Sequence, residues 1–189
     1  MAFPIIIVGV VAALFVIVMA VLYFLSIYNN LIMLNKDIDK SWANIDVLMK
    51  QRHDELPKLV DTCKGYMTHE KTVFTDITNA RSIYTNAKTV GEKAAADTAI
   101  TGALKTLFAV SENYPNLKAN ETFLNLQTRI SALENEIADR REFYNDSVNT
   151  YNIRIHQIPY NFVAGNMKYT DKPLFKATAE ETADVKIEF

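Results

Sequence analysis

The sequence predicts an all-α protein in which an N-terminal transmembrane helix continues into an antiparallel four-helix bundle of two long and two short helices. Three observations carry that prediction. All 42 charged residues, 20 Lys or Arg and 22 Asp or Glu, lie at or after Lys36, which leaves the first 35 of the 189 positions uncharged. Beyond them apolar residues recur at spacings of three and four, the period of a helix face, and no stretch alternates with period two for long. Gly and Pro number only five each, too few turn-formers for a β-sandwich or barrel.

The anchor comes first. From Ile5 to Leu25 run 21 residues in which only Gly9 and Tyr23 depart from the aliphatic, Ala, Met and Phe set. At about 1.5 Å per residue such a helix spans roughly 31 Å, matching a hydrocarbon core of about 30 Å. A cleaved signal peptide would need a basic leader, a shorter apolar core and an A-x-A-like site, and none of these fits. Tyr23 and Tyr28 stand where amphipathic rings prefer the headgroup layer. The few residues before the span offer no Lys or Arg, whereas Lys36 and Lys40 follow it closely, so the expected topology is single-pass with the amino terminus outside and the rest cytoplasmic. Residues 36–189 are about 27% charged, as in an ordinary water-soluble domain. The expected organisation is an anchor at 1–28, a helical bundle at 29–157, and a membrane-proximal loop with a C-terminal tail at 158–189.

Four helical segments follow. The first shows Leu31, Leu34, Ile38, Trp42, Ile45, Met49, Arg52, Leu56, Leu59 and Cys63, a stripe that leaves the anchor without interruption, so anchor and first soluble helix read as one rod. Pro57 is a possible kink, since an interior proline loses a hydrogen bond and crowds the preceding turn. Gly65 reads as its stop, with Thr68 as the next N-cap and Glu70 in the first turn. Phe74, Ile77, Ala80, Tyr84 and Ala87 mark the second segment, closed by Gly91; Ala96, Ile100, Leu104, Leu107 and Val110 mark the third, ended by the turn cluster Asn113-Tyr114-Pro115-Asn116. The fourth has the clearest stripe: Phe123, Leu126, Ile130, Leu133, Ile137, Arg140 or Arg141, Tyr144, Val148, Tyr151 and Ile155, a pattern suited to a bundle or coiled-coil seam.

With segments at roughly 30–64, 68–89, 92–113 and 117–156, the helical rise gives lengths of about 52, 33, 33 and 60 Å. Two long and two short helices fit an up-down-up-down bundle. If Gly65 and Pro115 did not break their helices, the chain would form a single hairpin of two arms; Glu70 on the continued stripe and two breakers at compatible places favour the bundle. In both cases the fourth helix returns to the membrane. The segment Ile158 to Phe175, with Pro159, Tyr160, Phe162 and Tyr169, then lies beside the headgroups, either in lipid contact or as a capping loop. The last fourteen residues are acidic and are expected to be extended.

Charges that interrupt the stripes carry further information. With residues 30 and 155 level at the membrane, Asp46 lies opposite Arg140 or Arg141, and Arg52 opposite Glu134 or Glu136. A buried charge must be paired, and pairing fixes register; the competing reading has both arginines snorkelling to the surface. Near the membrane the long helices outreach the short ones by about 20 Å. Leu31, Leu34, Ile38, Trp42, Tyr144, Val148, Tyr151 and Ile155 are then covered by one helix only, an exposed apolar patch of the kind that marks self-association. Gly9 and Ala13 form a small-xxx-small pair through which spans can also approach.

Composition excludes several functions. A net charge of −2 offers no basic field for phosphate, so no nucleic acid is expected as a partner. One cysteine, Cys63, permits no intramolecular disulfide or multi-thiolate metal site. His53, His69 and His156 lack the spacing of a metal-binding helix, and Cys63, His69 and Glu70 read as a buried thiol beside a helix start rather than a nucleophile. No phosphate-binding glycine loop, nucleophile elbow or EF-hand loop is present, so no catalytic, cofactor-binding or metal residue is assigned and the chain is expected not to be an enzyme.

Blocks in order along nearly the whole chain resemble the bacterial LemA proteins. They are Tyr28-Asn29-Asn30-Leu31, Trp42-Ala43-Asn44-Ile45-Asp46-Val47, Arg52-His53-Asp54-Glu55-Leu56-Pro57-Lys58-Leu59-Val60, Lys64-Gly65-Tyr66 with His69-Glu70, and Ala80-Arg81. Then follow the stretch from Ala109 to Asn120, Phe123, Leu126-Gln127, Arg140-Arg141, Phe143-Tyr144-Asn145-Asp146 and Tyr151-Asn152. The resemblance implies a bitopic inner-membrane protein with its amino terminus outside and a cytoplasmic helical bundle, and it implies no catalytic residues. After Pro159 the chain departs from the family pattern, with Tyr160-Asn161-Phe162 in place of the more usual Ser-Asn-Leu. The functional expectation is a membrane-anchored scaffold acting through homo-oligomerisation or docking of a membrane-protein partner. The alternatives are an accessory subunit of a membrane enzyme or protease, and a hydrolase without a recognisable motif.

Overall fold

A computed structural model describes residues 2–176, with side chains described from Ile6 onward; the acidic tail from residue 177 lies outside the described residues. The described residues form six helices and no strand: α1 (Ala2–Lys64), α2 (Lys71–Asn86), α3 (Val90–Ser111), α4 (Pro115–Lys118), α5 (Glu121–His156) and α6 (Tyr160–Asn166). The apolar segment and the first soluble helix are one unbroken helix, and α1 runs through Pro57 to end at Lys64. The alternative of two continuous arms is excluded, because residues 65–70 separate α1 from α2. Two short helices, α4 and α6, interrupt stretches read from the sequence as a turn and a loop.

Helix boundaries show where local chemistry overrode the sequence reading. Gly65 does follow α1, but not in a left-handed conformation; the amides of Tyr66 and Met67 both donate to the Cys63 carbonyl at 2.9 Å. The N-cap position of α2 is Glu70, not Thr68, and no side chain caps it. Instead the Glu70 carboxylate accepts from the Tyr114 hydroxyl at 3.0 Å, tying the loop after α1 to the start of α4. Gly91 does not close α2: it lies in the first turn of α3, which begins with a capping box in which Thr89 accepts from the Glu92 amide and Glu92 accepts from the Thr89 amide. Asn120 accepts from the Phe123 amide at 2.9 Å and so caps the start of α5.

The chain divides into two compact units. One comprises residues up to Asp39 together with Ser147–Lys172. Here the apolar side chains from Ile6 to Leu25 are exposed, and packing begins at Ile27 and Leu31. Ile38, Val148, Tyr151, Ile155, Val163 and Ala164 complete its core. One helix among the described residues, α1, is long and apolar enough to cross a membrane. Asn152 holds the chain after α6, donating to the Lys172 carbonyl at 3.0 Å and accepting from its amide at 2.8 Å, while Tyr169 lies with its ring 5.8 Å from that of Tyr151.

The second unit comprises Lys40–Asp146 and the segment from Pro173. Its core takes Ile45, Met49, Leu56, Leu59 and Cys63 from α1, Val73, Ile77 and Tyr84 from α2, Ile100, Leu104 and Leu107 from α3, and Phe123, Ile130, Ile137 and Tyr144 from α5. Asn145 grips Phe175 as Asn152 grips Lys172, accepting from its amide at 2.8 Å and donating to its carbonyl at 3.0 Å. The Phe175 ring is buried 6.1 Å from Trp42, which in turn lies 5.8 Å from Tyr144.

Residues 169–175 form a strap held on α5, and its contacts correct one expectation. Leu31, Ile38, Tyr144, Val148, Tyr151 and Ile155 are buried, and Leu34 and Trp42 are partly covered. The open apolar patch inferred from helix lengths is therefore absent. The sequence left residues 158–175 either in lipid contact or as a capping loop; at Lys172 and Phe175, Asn152 and Asn145, polar positions on α5, draw the backbone onto the helix.

Asn145→Ala removes two hydrogen bonds and is expected to cost about 2 kcal/mol of stability, at roughly 1 kcal/mol per bond. Hydrogen exchange of the detergent-solubilised protein checks this: the Phe175 amide should exchange at least about tenfold faster in the variant. Unchanged protection would show that the strap is held by ring packing alone.

Candidate functional site

The chemistry of the second unit is concentrated in a buried ionic network. Arg52 projects from α1 into the core at 1% exposure, and Asp97 projects from α3 at 0%. Arg52 Nη2 donates to Asp97 Oδ1 and, at 3.4 Å, to the Asp97 backbone carbonyl; Nη1 donates to Thr101 Oγ1 at 3.1 Å and to Glu134 Oε1 of α5 at 3.5 Å. Arg141, also on α5, closes on the second carboxylate oxygen of Asp97 and lays its guanidinium 4.8 Å from the Phe175 ring centroid. Two cations and two anions from three helices thus balance. Arg52 is nonetheless lowered to about 10, because burial disfavours its charged form more than Glu134 and Tyr84 favour it.

A second cluster flanks the first. Glu55, one turn along α1 from Arg52 and 3% exposed, accepts from Arg129 Nη2 at 3.1 Å and from Lys58 Nζ at 3.1 Å. On α2 the Tyr84 ring lies 4.9 Å from the His53 ring, and Lys93 Nζ sits 3.7 Å from the Tyr84 centroid. Burial, then the nearby Asp46 and Asp54 carboxylates, raise the Tyr84 hydroxyl to about 12.

The structure brings together Arg52 and Glu134, as the antiparallel register proposed. It does not place the other pair in that way: Asp46 lies 3.8 Å from Lys93, Arg140 lies 3.8 Å from Glu136 within α5, and Arg141 goes to Asp97. The register was reckoned between two helices, and α3 supplies a further anion, Asp97, which takes Arg141. Asp97 was missed, although its signal was legible: it stands three residues before Ile100 and seven before Leu104, interrupting the α3 stripe as Arg52 interrupts that of α1.

Cys63, Glu70 and His69 are not brought together among the described residues as a nucleophile with its base. Cys63 is buried, and burial pushes its thiol up to about 12, so the reactive thiolate is suppressed. Glu70 is engaged by Tyr114, and His69 is exposed. Among the described residues no three His, Cys, Asp or Glu side chains are grouped as metal ligands would be. A groove between α2 and α3, lined by Asn79, Ser82, Ile83, Asn86 and Glu92, contains none of the network residues.

Asp97→Ala leaves two arginines facing each other in the core and is expected to cost about 3–5 kcal/mol. Asp46→Ala, whose side chain is half exposed, should cost under about 1 kcal/mol. A double-mutant cycle of Arg52→Met with Asp97→Leu, read by chemical denaturation, should lose clearly less than the sum of its singles. Stability should also fall as pH rises above 9. The raised acids Cys63 and Tyr84 hold their protons more tightly when folded, so their contribution is complete below the ordinary thiol value of 9.0 and is lost as pH climbs toward about 12. Arg52, with its lowered value near 10, acts in the opposite sense, and only above that pH. Cys63→Ala should therefore flatten the first part of the alkaline decline, and an unchanged slope would contradict the assignment.

Comparison with known proteins places this chain within a family. The model of the LemA family matches residues 41–189, a stretch that includes Arg52, Asp97, Glu134 and Arg141. The chain is 30% identical over 178 residues to Protein LemA of Metamycoplasma hominis, covering 90% of this chain and 80% of that protein. It is 28% identical over 163 residues to the magnetosome proteins MamQ 1 and MamQ 2 of Paramagnetospirillum magneticum, covering 72% of this chain, and it spans about 60% of the length of each. A family match over most of the chain, a relative aligned along nine-tenths of it, and one long apolar N-terminal helix lead to one conclusion: the chain is a membrane-associated member of the LemA family.

Proposed function

We propose that this chain is a non-catalytic scaffold of a bacterial inner membrane, with its amino terminus outside and its helical domain in the cytoplasm, acting through homo-oligomerisation or partner docking. The observation that carries the reading is α1 itself: one helix bears exposed apolar side chains from Ile6 to Leu25 and then contributes Ile45, Met49, Leu56 and Leu59 to a packed core. The soluble part is read as an antiparallel bundle of the long α1 and α5 with the short α2 and α3. That reading is supported by Arg52, which draws together groups from α1, α3 and α5, and by the packing of α2 on α3. The titratable groups of the core serve one another, and its thiol is held protonated, which supports a structural rather than a chemical role.

Orientation rests on Lys36 and Lys40, both exposed just beyond the span. Contacts between copies are drawn from surface that remains open, and Gly9, with free space around its Cβ position, is where two spans can approach.

In a Cys63→Ser background, Ala2→Cys should react with an impermeant thiol reagent in intact cells, and Asn116→Cys only after permeabilisation; the reverse pattern would overturn the orientation. Purified in mild detergent, the protein should have a mass that is a multiple of 21.4 kDa after detergent correction, and Gly9→Leu should lower it. A monomeric mass would overturn self-association, and a fixed foreign chain would select the accessory-subunit alternative.

A further inference from the structure

The unit that contains the apolar span also contains the end of α5, the turn after it and α6. Side chains of α1 are exposed through Leu25; cover begins at Ile27, 4% exposed, and is complete at Leu31, 0% exposed. Ile27 lies two residues, about 3 Å of helix rise, beyond Leu25. The segment packed with this part of α1 in the same unit is Ser147–Lys172. In it Ile155, Val163 and Ala164 are turned inward and buried, while two large apolar side chains are left almost bare: Ile158 at 78% exposure and Phe162 at 71%.

We propose that the turn from Ile158 into α6 is a second membrane contact, which inserts Ile158 and Phe162 into the headgroup layer of the bilayer crossed by α1; this rests on the reading of residues 6–25 as a membrane span. Lipid is the occupant because the patch belongs to the same compact unit as the apolar span, and because its surroundings are those of an interfacial element. The Tyr160 ring, an amphipathic group suited to the headgroup level, carries the Arg154 guanidinium 4.7 Å from its centroid. Lys168 is exposed just after α6. Asp171, the nearby acid, is engaged by His156 at 3.0 Å. Apolar side chains flanked by cations suit a surface of acyl chains and phosphates. A helix held at such a second point is restrained from turning about its own axis in the bilayer.

The test uses the full chain in vesicles of phosphatidylcholine and phosphatidylglycerol, with Trp42→Phe removing the single native tryptophan. Tryptophan is then placed one position at a time by Ile158→Trp, Phe162→Trp and, within the span, Val16→Trp. Ile158→Trp and Phe162→Trp should emit to the blue of the same variants unfolded in denaturant, and lipids brominated close to the headgroup should quench them more strongly than lipids brominated near the chain ends. Val16→Trp should show the reverse preference. Quenching of Val16→Trp without quenching of Ile158→Trp or Phe162→Trp overturns the second contact and leaves the span intact. Blue emission from Phe162→Trp that no brominated lipid quenches also overturns it, in favour of a protein surface on the patch. Absence of quenching at all three positions overturns the span and the proposal together.

Discussion

A guanidinium buried at 1% exposure sets a constraint that the second unit is built to meet. The cationic form of Arg52 is stable in the core only while Asp97, Thr101 and Glu134 surround it, and Asp97 in turn brings in Arg141. Apolar packing is tolerant of small slips along a helix; this set of partners is not, since displacing α3 or α5 by one turn would strand a charge. Net stabilisation from such a network is small, but the penalty for any other register is large. The ions therefore select which arrangement of the helices forms, and the apolar stripes supply most of the free energy once it has formed.

The same network reaches the strap. Arg141 touches both Asp97 and the face of Phe175, and Phe175 packs against Trp42. An aromatic side chain brought in from the far end of the described chain thus finishes a cluster whose other members are charged. Its ring screens the guanidinium from water, which strengthens the ion pair beneath it.

Helical character, the long apolar N-terminal helix and the order of the segments were legible because they depend on periodicity alone. The stop at Gly65 and the pairing of Arg52 with Glu134 followed from the same stripes. What periodicity could not supply was anything that depends on a third element. Asp46 was matched to Arg140 or Arg141 by height along two helices, and α3 then supplied Asp97 for Arg141 and Lys93 for Asp46. Likewise the membrane-proximal residues were expected to be bare because no regular segment remained to cover them. The strap is held on α5 by side-chain-to-backbone hydrogen bonds from Asn145 and Asn152, which leave no hydrophobic pattern. The capping box at Thr89 and Glu92 was within reach of sequence reading, and was masked by the conspicuous Gly91 beside it.

The way the asparagines hold the strap has a consequence for how its sequence can drift. Asn152 and Asn145 read only main-chain groups of Lys172 and Phe175, so the grip is blind to the side chains there and Leu174, 40% exposed, is under no demand from it. Proline is the exception, because its nitrogen carries no hydrogen. Between the two gripped residues lies Pro173, whose carbonyl accepts from Tyr144. Sliding the strap by one residue would set Pro173 against Asn152 Oδ1 and leave that oxygen with no donor. A single imino acid thus acts as a detent for the main chain, while the buried ring of Phe175 fixes the end of the strap and Leu174 between them is free to change.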